Sequence, residues 1–296
     1  MTMTNDITTK CGYISLIGAP NSGKSTLVNS LVGCKVSIVS PKVQTTRNIV
    51  RGITTFDHCQ AILVDTPGIF KPANTLEKKI VKNAWTSAGQ SDYQLLICDI
   101  SAGKPIELTQ LIEALNHKKL ATSAVINKVD LAKGTQVEDL RNYLAKQQIF
   151  EHILPISAKC GSGLDDLKEL IAEKLPSMPF IYDEDDCSDQ PARLLANDVT
   201  REKLFYLLGQ EVPYAVNVET ESYKEQENGE ITIRQVITVM RESQKKIVIG
   251  QGGAMLKKIG AQSRTELSKL FDTKVHLFLF VRVRADWAEK AKRSEL

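Results

Sequence analysis

The 296-residue sequence predicts an α/β domain, with a mixed, mostly parallel sheet covered by helices on both faces, followed by a smaller α+β unit. Three observations carry this expectation. Short apolar runs alternate with stretches of helical period up to Leu175. A segment over 176–191, rich in proline and acids, then breaks that rhythm. Beyond it, two β-rich runs flank Asn228-Gly229, a dipeptide that favours hairpin turns.

The elements follow in order. YISLIG leads into a helix from Lys24, AILVD into a helix around Lys78, and LLICDI into a helix over 108–115. SAVIN precedes a helix over 137–146, and ILPIS one over 164–175. Strand and helix alternating in this way build a parallel sheet with helices on both faces. We place the first domain at 1–178, a linker at 179–192 and the second domain at 193–296. The second domain reads as a helix over 193–209, strands over 215–222 and 231–241, helices on either side of Gly250 to Gly253, and a last strand over 274–284. Phe271, Phe278 and Phe280, which alternate within or beside that strand, are read as core.

Composition excludes several classes. Apolar residues at 42% and charged residues at 25% are ordinary for globular chains and argue against disorder or a fibrous repeat. Cys11, Cys34, Cys59, Cys98, Cys160 and Cys187 form no C-x-x-C pair and have no histidine at ligand spacing. That pattern speaks against a zinc site or a disulfide framework and suits a reducing cytoplasm. The polar opening MTMTNDITTK is no signal peptide, and the longest apolar run, 275–283, is too short to span a bilayer. The net charge of +3 is unevenly spread: from Gln190 onward 18 Lys and Arg face 14 Asp and Glu. Residues 241–269 carry seven bases against two acids, which marks the place for an anionic partner.

Gly18-Ala19-Pro20-Asn21-Ser22-Gly23-Lys24-Ser25 matches G-x-x-x-x-G-K-[ST] between a strand and a helix. Backbone amides there, with Thr26 in the first helical turn, would hold the α and β phosphates of a nucleotide. Lys24 would bridge the β and γ phosphates, and Ser25 would ligate Mg²⁺. Asp65-Thr66-Pro67-Gly68 ends AILVD, so Asp65 stands at the carboxyl edge of the sheet near that metal and Gly68 can offer its amide to the γ phosphate. Asn127-Lys128-Val129-Asp130 follows SAVI and would choose the base. Asp130 can accept from both N1–H and the exocyclic amine of guanine, whereas adenine would leave the carboxylate unpaired. Asn127 would brace the loop, Lys128 would cover the base, and Ser157-Ala158-Lys159 would present the Ala158 amide to guanine O6.

These segments in this order resemble the translation-factor-related GTPases. The resemblance implies a switch I threonine on Mg²⁺ and the γ phosphate, Thr45 or Thr46, with Thr46 preferred. Where many such enzymes place a water-orienting glutamine after D-x-x-G, this chain has Ile69. An aliphatic side chain cannot orient water. Asparagine at the position of Asn21 implies a bound K⁺ instead, hence slow hydrolysis that is faster in K⁺ than in Na⁺.

In the second domain Lys245 and Lys246 precede Gly250-Gln251-Gly252-Gly253, and Lys257 and Lys258 follow it. A G-x-x-G turn between helices with basic flanks is similar to a type II KH domain, in which backbone approaches four nucleotides of single-stranded nucleic acid. A Ras-like P-loop GTPase domain joined to such a unit resembles the Era family across nearly the whole chain, including GxPNxGKST, QTTR, DTPG, NKVD, REKLFYLLGQEVPY and the KKIVIGxGG stretch. The resemblance implies GTP and GDP as ligands, binding to the 3′ end of small-subunit ribosomal RNA, help in maturing the 30S particle, and peripheral membrane association. Gln251, where many relatives have lysine or another polar residue, is expected to weaken phosphate contact slightly. The stretch after Trp287 is shorter than the family's usual tail; RNA binding is expected to survive both departures. The rival readings are a P-loop kinase acting on a small molecule, which leaves NKVD unexplained, and an RNA-binding scaffold with a static nucleotide site.

Overall fold

The computed structural model describes residues 9–40, 49–69, 75–103, 106–209, 212 and 216–284. Two compact units emerge, one of 1–37 with 43–189, the other of 38–42 with 190–296.

The first unit is a six-stranded sheet. Its strands are β1 (Lys10–Ile17), β2 (Val50–Phe56), β3 (Cys59–Asp65), β4 (Tyr93–Asp99), β5 (Thr122–Asn127) and β6 (Phe150–Pro155), in the order β2-β3-β1-β4-β5-β6. Only β2 runs antiparallel to its neighbour. Helices α1 (Lys24–Val32), α2 (Thr75–Gln90), α3 (Ile106–Lys118) and α4 (Gln136–Ala145) connect the strands, and α5 (Leu164–Lys174) follows the last of them. The core has two halves, because strands β1, β3, β4 and β5 are almost wholly buried and need cover on both faces. Leu27, Val28 and Leu31 of α1 and Leu167 and Ile171 of α5 pack on one face; Ala84, Leu111 and Leu144 of α2, α3 and α4 pack on the other. The expected mixed, mostly parallel sheet is therefore present. The antiparallel strand β2 is additional: its run VRGITTF lacks an apolar core and carries Gly52 in its middle. A side chain at Gly52 would meet Val28 and Val32 of α1 at 2.6 and 2.8 Å, so glycine lets that helix lie against the strand.

The proline-rich, acidic stretch is fastened to this unit. Gln60, fully buried, accepts from the Ile181 and Tyr182 amides at 2.9 and 3.0 Å and donates to the Tyr182 carbonyl at 2.9 Å. Ile53 donates to the Cys187 carbonyl at 2.8 Å, Gly52 pairs with Ser188, and Arg51 meets Asp189 at 2.8 Å. Cys187 also forms a disulfide with Cys34, with Cα atoms 6.5 Å apart. That corrects the expectation of a chain without disulfides. The partners are 153 residues apart in sequence, so no spacing pattern announces them.

The second unit has the α-β-β-α-α-β order. Helix α6 (Ala192–Leu207) is followed by β7 (Val216–Glu225), β8 (Ile231–Val239), α7 (Glu242–Ile249), α8 (Ala254–Leu270) and β9 (Val275–Val283). β8 is central, antiparallel to β7 and parallel to β9. Gly229 takes φ 79° in the hairpin turn and the Asn228 side chain accepts from the Glu230 amide, as the dipeptide predicts. Leu204, Val248 and Ile259 from the helices bury Val218, Ile237 and Val239 of the sheet. Among the described residues no helix covers the opposite sheet face, and this corrects the assignment of two phenylalanines to the core: Phe278 and Phe280 are 49% and 55% exposed. Phe271 does lie against the core, edge-on to Tyr223. Among the described residues no helix is long and apolar enough to cross a membrane.

Candidate functional site

The loop between β1 and α1 is shaped by glycines that leave no room for a side chain. At Gly18 a Cβ would sit 2.7 Å from the Ile97 carbonyl and from Ser22 Oγ. Gly23 takes φ 96° as the cap of α1, and a Cβ there would lie 2.2 Å from the Asn127 amide nitrogen. The chain thus wraps closely around Lys24, which is 6% exposed. Its ammonium donates to the Gly18 and Ala19 carbonyls at 3.1 and 2.9 Å, with Ser22 Oγ at 3.5 Å. Burial lowers its pKa to about 8 against the opposing pull of Asp65. A buried cation held by neutral carbonyls at a helix N-terminus suits an anion such as a phosphate.

Asp65, at the end of β3, is fully buried. Its Oδ2 accepts from Ser25 Oγ and from Ser37 Oγ, each at 2.6 Å. This set of hard oxygen donors beside the Lys24 loop fits Mg²⁺. Ser37 was not singled out in the sequence; it is held by Asn29, whose Oδ1 accepts from the Val36 and Ser37 amides. Thr66 donates to the Leu16 carbonyl at 2.7 Å, and Gly68 passes so near Pro20 that a Cβ would lie 2.7 Å from its backbone. The Ile69 amide bonds the Gly18 carbonyl while its side chain is buried in the core. It therefore presents no polar group to the loop. Thr45 and Thr46 lie outside the described residues.

The loops expected to select the base converge on Asn127. Its Nδ2 donates to the Ser22 carbonyl at 3.0 Å, and its Oδ1 accepts from the Lys128 and Ala158 amides at 2.8 and 3.0 Å. The Ala158 amide, assigned to guanine O6 from sequence, is bonded here to Asn127, and the Ala158 carbonyl accepts from Ser30 Oγ. Asp130 is exposed and its Oδ1 accepts from Ser157 Oγ at 2.5 Å, while Lys159 is exposed. Lys128, at φ 65°, sends its ammonium to the Asn21 carbonyl at 2.7 Å and to Asp99 Oδ2 at 2.5 Å. Burial pushes the Asp99 pKa up, but hydrogen bonds from Lys128 and Ser101 outweigh it and hold the carboxyl below its ordinary value. Asp99 was also missed in the sequence. Its only signal is its place at the carboxyl end of a buried strand, where ligands of such sheets bind.

In the second unit, Gly250, Gly252 and Gly253 all take positive φ, at 72°, 56° and 81°. A side chain at Gly250 would strike Met255, whereas nothing lies within 4 Å of one at Gly252 or Gly253. The turn is open to solvent and ends at the N-terminus of α8, with no acid in its first turn. Lys246, Lys257, Lys258 and Gln251 are exposed around it and Lys245 is half-buried. Amides and cations gathered in this way suit a phosphate backbone.

Comparison with known proteins points to a GTPase domain followed by a KH domain. A family model described as 50S ribosome-binding GTPase matches residues 13–128, and a KH-domain model matches 211–288. A GTPase Era of Afipia carboxidovorans is 46% identical, aligned over 96% of this chain and 92% of its own. Another, from Bradyrhizobium diazoefficiens, is also 46% identical over 96% of this chain and 92% of its own. Among solved structures, a variant of Aquifex aeolicus Era bound to GDP and AlF₄⁻ has a TM-score of 0.91 at 35% identity, covering 97% of this chain and 98% of the other. Era in complex with MgGDPNP and nucleotides 1506–1542 of 16S ribosomal RNA gives the same values. With its Ras-like nucleotide domain followed by a KH domain, the chain belongs to the Era family of GTPases.

Proposed function

We propose that the chain is a GTP-hydrolysing switch that holds the 3′ end of small-subunit ribosomal RNA and assists assembly of the 30S subunit. The observation that carries this reading is the coexistence of an Asn127-centred guanine and phosphate site with an open G-x-x-G turn in one chain. A relative has been solved with MgGDPNP and 16S ribosomal RNA nucleotides, which supports the same pairing here.

Lys24 would exchange its loop carbonyls for the β and γ phosphates. Ser25 and Asp65 would hold Mg²⁺, and we assign Thr46 as the further ligand. The metal, when bound, would neutralise charge on the β and γ phosphates. Asp130, positioned by Ser157, would read guanine N1–H and the exocyclic amine. Gly68 would offer its amide to the γ phosphate. Because the Ile69 side chain is buried, water orientation cannot come from it. Asn21 lies exposed at φ 63°, its carbonyl held by Lys128, and we assign its side chain to a K⁺ that assists hydrolysis. Gly250 to Gly253 with Lys245, Lys246, Lys257 and Lys258 would take the RNA backbone.

Multiple-turnover GTP hydrolysis in KCl and in NaCl, with wild-type protein and Asp130→Asn, tests this reading. Faster turnover in K⁺ and a change of preference from GTP to XTP in the variant are expected. Equal rates in the two salts would remove the K⁺ assignment. A protein that holds GDP without turnover would be a scaffold instead of a switch.

A further inference from the structure

Strands β8 and β9 place a row of side chains on the face that no described helix covers. In register, Arg234 stands beside Phe278, Val236 beside Phe280, and Thr238 beside Arg282. Their sequence neighbours Ile233, Ile237 and Leu277 turn the other way, into the core against the helices. Phe278 and Phe280 are about half exposed, whereas Val236 between the strands is buried at 4%. The Arg234 guanidinium lies 5.9 Å from the centre of the Phe278 ring. Arg282 closes the row and meets Glu219 and Glu221 of β7 at 3.1 and 3.3 Å.

We propose that this sheet face is a second platform for single-stranded RNA, with Phe278 and Phe280 each stacking one base. Two residues apart on a strand, the rings stand about 7 Å from one another, so each has a face for its own base. Bases in single strands stack on aromatic rings and on guanidinium planes, and Arg234 with Phe278 supplies both. The charge favours an anion slightly: Lys224, Arg234, Lys274 and Arg282 stand on this side against Glu219, Glu221 and Glu230. A protein partner fits less well. Two half-exposed phenylalanines offer about 200 Å² of ring surface, against about 800 Å² per partner in a stable protein interface. The platform is distinct from the G-x-x-G turn, which belongs to the helical layer. The proposal rests on the RNA-binding reading above and extends it: an RNA long enough to reach both surfaces would be held at two places.

Fluorescence anisotropy on the full chain tests it, using single-stranded RNAs of about five and about thirty nucleotides drawn from the 3′ end of small-subunit RNA. The variants are Phe278→Ala with Phe280→Ala, the same pair changed to Tyr, and Gly252→Asp. Stacking is worth roughly one to three kcal/mol per base, so loss of two stacked bases should weaken binding of the alanine pair to the long RNA by about thirty-fold or more. It should match wild type on the short one, and the tyrosine pair should restore binding. Crosslinks from 4-thiouridine RNA should map to the β9 peptide. If wild type binds both RNAs, Gly252→Asp abolishes binding and the alanine pair changes nothing, the platform is overturned while RNA binding stands. If wild type binds neither RNA, both readings fall. Self-association lost in the alanine pair, with RNA affinity unchanged, would make the face a protein contact and also overturn the proposal.

Discussion

Replacing Asp99 with asparagine should weaken guanine-nucleotide binding while leaving the fold intact. Asp99 Oδ2 lies 2.5 Å from the Lys128 ammonium, which also holds the Asn21 carbonyl, so the pair ties the loop after β5 to the loop between β1 and α1. The two side chains are 14% and 29% exposed. A hydrogen bond between charged groups contributes about 1.5–3 kcal/mol, and partial exposure reduces this to about 1–2 kcal/mol. Converted at 1.4 kcal/mol per decade, Asp99→Asn should raise the Kd for GDP roughly five- to thirty-fold. Titration with a fluorescent GDP analogue measures it. A double-mutant cycle with Lys128→Met isolates the pair: the combined loss should be smaller than the sum of the single losses. A Kd within two-fold of wild type, or fully additive losses, would refute the coupling. The pH dependence has a definite sign. Asp99 is held below its ordinary pKa, so its contribution is complete above about pH 4, the unfolded value, and is lost as pH falls through the lower folded value. Denaturation of wild type and Asp99→Asn should therefore differ by a constant amount from neutrality down to about pH 4, and the curves should converge below it.

Gly52→Ala should cost about 1–3 kcal/mol, because its Cβ would press on Val28, Val32 and Val36, whose branched side chains yield little; an unchanged urea midpoint would contradict the packing described. Among the free cysteines Cys160 is exposed, whereas Cys11, Cys59 and Cys98 are buried. Burial raises the pKa of Cys59 to about 11 and of Cys98 to about 12. Under native conditions a thiol reagent should therefore label Cys160 first by a wide margin, as peptide mass mapping would show, and non-reducing digests of oxidised protein should contain a Cys34–Cys187 peptide pair.

The loops assigned to phosphate and guanine could be singled out in the sequence because that chemistry restricts residue type at short spacing. Gly23 cannot carry a side chain beside Asn127, and Asn127 needs both ends of an amide to join three loops. Partners that come from distant segments were not legible: Ser37 and Asp99 reach the site through the fold alone. Strand β2 escaped notice because Gly52 and two threonines blur its pattern. For Phe278 and Phe280, alternation gave the period correctly but not the parity. A period of two says which residues share a face, and only the packing of α7 and α8 decides which face is covered.

The fastening of residues 187–189 along β2 also bears on how the chain is made. β2 is the outermost strand of its sheet, and Cys187 and Ser188 supply an extra rung to its free edge. An unprotected edge strand recruits strands from other molecules. During synthesis that edge stays bare until Ser188 has left the ribosome, well after the nucleotide loops themselves are complete. A fragment cut at the end of α5 would keep every group proposed to bind the nucleotide yet expose a β edge to its neighbours, and should be the more prone to aggregate for that reason alone.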